Sequence, residues 1–167
     1  DGTPEGTVLF KDIGTGSSGS FPSEFTAVGS TLFFRANDGT NGPELWKSDG
    51  TPEGTVLLKD IRTGSFGSYP KYLTAVGNTL FFRANDGGNG YELWKSDGTP
   101  EGTVLFKNIL TGSSSSYPSS LTVVGNTLFF RANDGNHGAE LWKSDGTLRG
   151  TVLVDRKSTR LNSSHRT

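Results

Sequence analysis

An all-β repeat architecture follows from three features of this 167-residue sequence. A 48-residue unit recurs, each unit alternates short apolar runs with turn clusters, and the chain carries 24 glycines and 11 phenylalanines. The heptapeptide Asp-Gly-Thr-Pro-Glu-Gly-Thr begins at Asp1, Asp49 and Asp97 and returns as Asp-Gly-Thr-Leu-Arg-Gly-Thr at Asp145. Residues 1–48 and 49–96 agree at 38 of 48 positions, and residues 49–96 and 97–144 at 37, so one structure must serve all three units. The repeat region is 1–154, in units 1–48, 49–96 and 97–144 with a partial copy at 145–154.

Each unit reads as four strands. In the middle unit, Leu73–Val76 and Thr79–Ala84 flank Gly77-Asn78, a two-residue loop whose leading glycine fits a type II′ hairpin. The cluster Asn85 to Gly90 turns the chain again into Tyr91–Lys95, and the Asp97 heptapeptide leads to Val104–Ile109. Helix caps and helical periodicity are absent. Centring the second hairpin on Gly87-Gly88 places Arg83 opposite Glu92, Phe82 opposite Leu93 and Phe81 opposite Trp94. Large apolar groups then lie on both faces, so each sheet has to be covered on both sides. Four antiparallel strands, a period of 48 and two buried faces predict a β-propeller-type repeat. It comprises three four-stranded blades plus one leading strand (Val8–Ile13), an open fragment of a larger propeller.

Glu-Leu-Trp-Lys-Ser-Asp-Gly-Thr at 44–51, 92–99 and 140–147 resembles the ELWxxDGT repeat family of bacterial, mostly exported or surface proteins. The resemblance covers residues 1–154 and implies a propeller-like fold in an extracellular or cell-surface setting. It implies no particular activity.

Composition narrows the function classes. The chain has no cysteine, hence no disulfide framework and no thiol nucleophile. No apolar run approaches a membrane span. The net charge of −1 divides into −5 over residues 1–155 and four basic residues in the last twelve, so a nucleic-acid partner is not expected. The non-repeat basic tail, 155–167, is expected to be artefactual and disordered; its functional alternative is a basic arm for acidic surfaces.

Differences between units fall at two places: the connection after the fourth strand (Gly14/Arg62/Leu110, Ser18/Phe66/Ser114, Glu24/Tyr72/Ser120) and the second hairpin tip (Thr40/Gly88/Asn136, Asn41/Asn89/His137, Pro43/Tyr91/Ala139). Strands that run up and down bring both places to one face, where loops on a rigid scaffold serve recognition. Arg62, Phe66, Lys71, Tyr72, Tyr91 and His137 are the expected ligand-binding residues, with aromatic and basic chemistry suited to a glycan or a protein. Neutral drift in soluble loops is the competing reading. Trp46, Trp94 and Trp142 are expected to pack between blades, and Asp49, Asp97 and Asp145 to cap their own turns. The pairs Arg35–Glu44, Arg83–Glu92 and Arg131–Glu140 are expected to be structural cross-strand ion pairs.

Gly14 to Gly19 matches G-x-G-x-x-G, but Phe21-Pro22 follows where a helix would have to start, which argues against a nucleotide site. The Asn37–Asn41 loop fails the EF-hand pattern at Gly39 and Ser48; no metal site or cofactor is expected, with weak calcium binding left open. The same groups recur three times and no histidine–carboxylate constellation is present, so an enzyme is not expected. The expected function is a non-catalytic binding or adhesion scaffold. Its alternatives are a purely structural repeat array in a large surface protein and a fragment of a propeller-type hydrolase. Further blades in cis, or a second copy in trans, are expected to close the ring.

Overall fold

A computed structural model of the chain describes residues 2–14 and 17–154; the expected tail at 155–167 lies outside them. The described residues contain twelve β-strands and no helix. They form three four-stranded antiparallel sheets, each following the chain. Sheet 1 contains β1 (Ser23–Val28), β2 (Thr31–Asn37), β3 (Pro43–Ser48) and β4 (Val56–Lys59). Sheet 2 contains β5 (Lys71–Val76), β6 (Thr79–Asn85), β7 (Tyr91–Ser96) and β8 (Val104–Lys107). Sheet 3 contains β9 (Ser119–Val124), β10 (Thr127–Asn133), β11 (Ala139–Ser144) and β12 (Val152–Leu153).

The turn chemistry explains the strand boundaries. Gly77 takes φ +57° while Asn78 keeps a negative φ, as a type II′ turn requires, and Val76 pairs with Thr79. The heptapeptide turn is closed by its first residue: Asp49 accepts hydrogen bonds from the Thr51 amide at 2.9 Å and the Thr51 hydroxyl at 2.7 Å. Asp97 and Asp145 do the same for Thr99 and Thr147. These bonds hold all three carboxyls below the ordinary aspartate range.

The second hairpin corrects the sequence-based register. Asn85 pairs with Tyr91, Ala84 with Glu92, Arg83 with Leu93, and Phe82 with Trp94. The expected Arg83–Glu92 opposition is therefore absent, and so are its counterparts, because Arg35 faces Leu45 and Arg131 faces Leu141. Five residues turn the chain where two were expected. The Asp86 carboxylate accepts the Gly88 and Asn89 amides, and Asn85 accepts the Gly87 amide, which fixes an odd-numbered loop and shifts the pairing by one position. A one-residue slip moves every side chain to the opposite face. Leu80, Phe82, Ala84, Glu92 and Trp94 thus share one face of sheet 2, and Phe81, Arg83 and Leu93 the other.

Both faces are apolar in the corrected register, and the sheets pack on one another. Phe33, Leu45 and Leu58 of sheet 1 meet Leu80, Phe82 and Trp94 of sheet 2. Phe81, Leu93 and Phe106 of sheet 2 meet Leu128, Phe130 and Trp142 of sheet 3. The first strands contact each other in sequence, β1 against β5 and β5 against β9. Lysines at the other edge reach across: Lys59 donates to Pro100 O at 3.0 Å and Thr103 O at 2.7 Å, and Lys107 to Leu148 O and Thr151 O.

The expected leading strand, Val8–Ile13, is not a strand here. Its counterparts β4 and β8 pair with β3 and β7, whereas residues 8–13 have no such edge beside them. Lys11 nevertheless donates to Pro52 O at 2.6 Å and Thr55 O at 2.7 Å, the position Lys59 and Lys107 take on the following sheets.

Candidate functional site

The inter-sheet connection and the second hairpin tip lie side by side. The Tyr69 amide donates to Pro43 O at 3.0 Å, the Tyr117 amide to Tyr91 O at 3.2 Å, and the Asn85 amide to Ser68 O at 3.0 Å. Gly42 and Gly90 make this approach feasible: both hold φ near +70°, and a Cβ on either would collide with the connecting backbone. The first hairpin turn and the heptapeptide turn gather elsewhere, where Gly77, Asn126, Asp145 and Gly146 border one shallow depression. Most of the differences between the repeats are thereby collected on one rim.

At the centre of that rim a guanidinium sits between two phenol rings. Arg83 Cζ lies 5.0 Å from the Tyr72 ring centroid and 5.1 Å from that of Tyr91. Tyr91 stacks on Tyr117 at 5.7 Å, and Lys71 Nζ approaches Tyr72 at 6.0 Å. A bulge builds this arrangement. Pairing between β5 and β6 shifts between Lys71 and Thr74, and Tyr72 takes φ +58°, a conformation that costs a non-glycine residue about 1–2 kcal/mol. The Tyr72 amide is held by Glu24 Oε2 at 2.7 Å, which ties the bulge to sheet 1.

The other expected ligand residues are spread out. Arg62 lies over the exposed Phe66 ring at 5.1 Å. His137 stands on the hairpin tip of sheet 3, where its Nδ1 meets Asp134 Oδ2 at 2.8 Å; this bond is the main cause holding the Asp134 carboxyl down at about 2. Sequence reasoning missed Arg83 as a rim residue and missed the series Phe21, Tyr69 and Tyr117. All three precede a proline, hold φ between +47° and +50°, and remain substantially exposed. Their recurrence as aromatic-Pro at constant spacing was the available signal. Phe21 and Tyr69 flank a cavity of about 120 Å³ that also borders Arg35, Asn37 and Pro43; at the equivalent place in sheet 2, Tyr91 stands where Pro43 leaves room.

The repeated glutamates belong to the scaffold. Glu44 is fully buried, and its carboxylate accepts from Ile61 N at 3.3 Å, Arg62 N at 3.1 Å, Ser68 N at 2.7 Å and the Ser68 hydroxyl at 2.5 Å. Glu92, also fully buried, accepts from Ile109 N, Ser116 N and the Ser116 hydroxyl at 2.6–2.8 Å. Each glutamate latches its sheet to the connection that carries the rim. Burial pushes the Glu44 carboxyl up to about 7 against the pull of its four donors, and raises Glu92 as well. A carboxyl raised in the folded state binds its proton more tightly there, so its stabilising effect is full below about pH 4.5 and is lost as pH rises through 7. We expect the urea midpoint to fall between pH 5 and pH 8, by on the order of 2 kcal/mol in stability. Glu44→Gln, which cannot titrate, should remove the Glu44 share of that dependence and leave that of Glu92.

Among the described residues no cluster of three or more metal-ligating side chains occurs, and no helix is long and apolar enough to cross a membrane. Trp94 lies in the apolar cluster between sheets 1 and 2 and Trp142 in that between sheets 2 and 3, while Trp46 packs with Phe34 on the outer face of sheet 1. Comparison with family models, curated proteins and solved structures returns no match.

Proposed function

We propose that this chain is a non-catalytic binding scaffold whose sheets are blades of a propeller-type array, and that its rim recognises a glycan. The carrying observation is Arg83 held between Tyr72 and Tyr91, extended by Tyr117 and Lys71. Aromatic faces stack on the apolar side of a sugar ring, and the adjacent cations supply donors to its hydroxyl or carboxylate oxygens. The bulge recurs in each sheet, with Glu24 and Ser120 at a similar positive φ, and only in sheet 2 does that position carry an aromatic ring. The resemblance of residues 1–154 to the ELWxxDGT repeats supports an exported or surface location in a bacterium. A protein ligand is compatible with the same aromatic and basic chemistry.

The test is an array of neutral and acidic oligosaccharides probed with the chain and with the Tyr72→Ala/Tyr91→Ala variant. Loss of both rings should weaken glycan binding at least tenfold while leaving the melting transition cooperative. Binding that survives the double substitution, or no binding by the unaltered chain, removes the glycan reading. A chain that binds nothing would fit the purely structural array, which the glutamate latches favour.

A further inference from the structure

The two outer sheets each expose a face whose natural cover the molecule displays twice. Leu32 on sheet 1 is 37% exposed, whereas its equivalents Leu80 and Leu128 are at 0% and 1%. Leu141 on sheet 3 is 49% exposed, whereas Leu45 and Leu93 are at 0%. The faces complement each other. In both internal junctions the face carrying Leu45 or Leu93 buries the face carrying Leu80 or Leu128. On sheet 1 the open face holds an apolar groove of about 240 Å³ bordered by Phe10, Phe25, Leu32 and Phe34, with nothing of sheet type in it.

The polar latch is divided in the same way. Glu140 is exposed, while its equivalents Glu44 and Glu92 are fully buried by the residues 61–68 and 109–116 that follow them. The residues equivalent to the donors Ile61, Arg62 and Ser68 are Ile13, Gly14 and Ser20; Ile13 packs against Phe34 and Trp46 of sheet 1, and Ser20 O accepts the Asn37 amide at 2.9 Å. Residues 8–11, Val-Leu-Phe-Lys, match the sequence of β8 and are held by Lys11 where the outer strand of a preceding sheet would lie. Val8 and Leu9 are 72% and 82% exposed there.

We propose that a second copy of this chain docks head to tail, sheet 3 of one copy against sheet 1 of the other, and that two copies close into a ring. In the docked pair Leu141 covers Leu32, and Glu140 accepts from Ile13, Gly14 and Ser20 of the incoming copy. Residues 8–11 become the outer strand on β11, displacing β12, which pairs at Trp142 and Lys143 and donates from the Val154 amide to Leu141 O at 2.8 Å. The incoming segment brings the latch donors with it. Head-to-tail contacts either close or grow into filaments. Two copies give six blades, inside the range of about 4–8 at which propellers close, and three copies give nine, outside it. This association is independent of whether the rim binds a glycan.

The full chain measured by light scattering after size exclusion should have twice its monomer mass. Leu141→Arg, a change at an exposed position, should return it to monomer mass with a cooperative melting transition retained; Glu140→Lys should do the same. A monomeric unaltered chain, an open-ended ladder of masses, or a doubled mass that both variants keep would overturn the proposal.

Discussion

Replacing Glu92 with alanine is expected to cost about 3 kcal/mol or more in unfolding free energy. Truncation leaves the Ile109 and Ser116 amides and the Ser116 hydroxyl without their acceptor. Each buried donor left unpaired costs about 1–3 kcal/mol. Ser116 is 1% exposed, so water has little access to take the place of the carboxylate. Glu44→Ala should behave alike, because it strands four donors in the equivalent place. Glu101→Ala, on an exposed heptapeptide turn, should stay within about 0.5 kcal/mol of the unaltered chain. Urea unfolding of the three variants checks this. The cross-strand ion pair with Arg83 that the sequence suggests predicts instead at most about 1 kcal/mol for Glu92→Ala and a similar loss for Arg83→Ala.

Phe82→Ala is expected to lose about 3–5 kcal/mol. Phe82 is 0% exposed and packs in the cluster between sheets 1 and 2, opposite Trp94. The cavity would open between two sheets held by the Glu44 latch and by Lys59, so collapse around it is restricted. Val124→Ala, at a position 63% exposed beside the first hairpin turn, should change stability by under about 1 kcal/mol. The pair distinguishes an inter-sheet core from a general sensitivity of the strands to substitution. Thermal or urea unfolding of both variants is sufficient.

The period, the first hairpin and the need for two covered faces were legible in the sequence because each rests on local chemistry. Gly77-Asn78 allows only one economical turn, and Thr79–Ala84 presents apolar groups to both sides. The second hairpin was not legible. Asn85-Asp86-Gly87-Gly88-Asn89-Gly90 contains several plausible turn centres, and the choice is made by which amides the Asp86 carboxylate accepts. The glutamate role followed from that error, since the shifted register placed Glu92 opposite Arg83 and made it one half of a cross-strand ion pair. Residues 8–13 carry strand-forming side chains, but a strand exists only against a partner edge. At the rim, Tyr72 and Tyr91 were recognisable from their divergence between repeats. Arg83 was not, because it recurs unchanged as Arg35 and Arg131 and gains its setting only where tyrosines surround it.

The central claim is that buried Glu44 and Glu92 fasten sheets 1 and 2 to the connections that carry the binding rim. The most direct measurement is the titration of the Glu44 side-chain carboxyl followed by carbon NMR. Burial predicts a midpoint raised to about 7 against the pull of the Ile61, Arg62 and Ser68 donors, and Ser68→Ala, which removes one donor, should raise it further. A midpoint that Ser68→Ala leaves unmoved would contradict the account, because the Ser68 hydroxyl is one of the donors that hold it down.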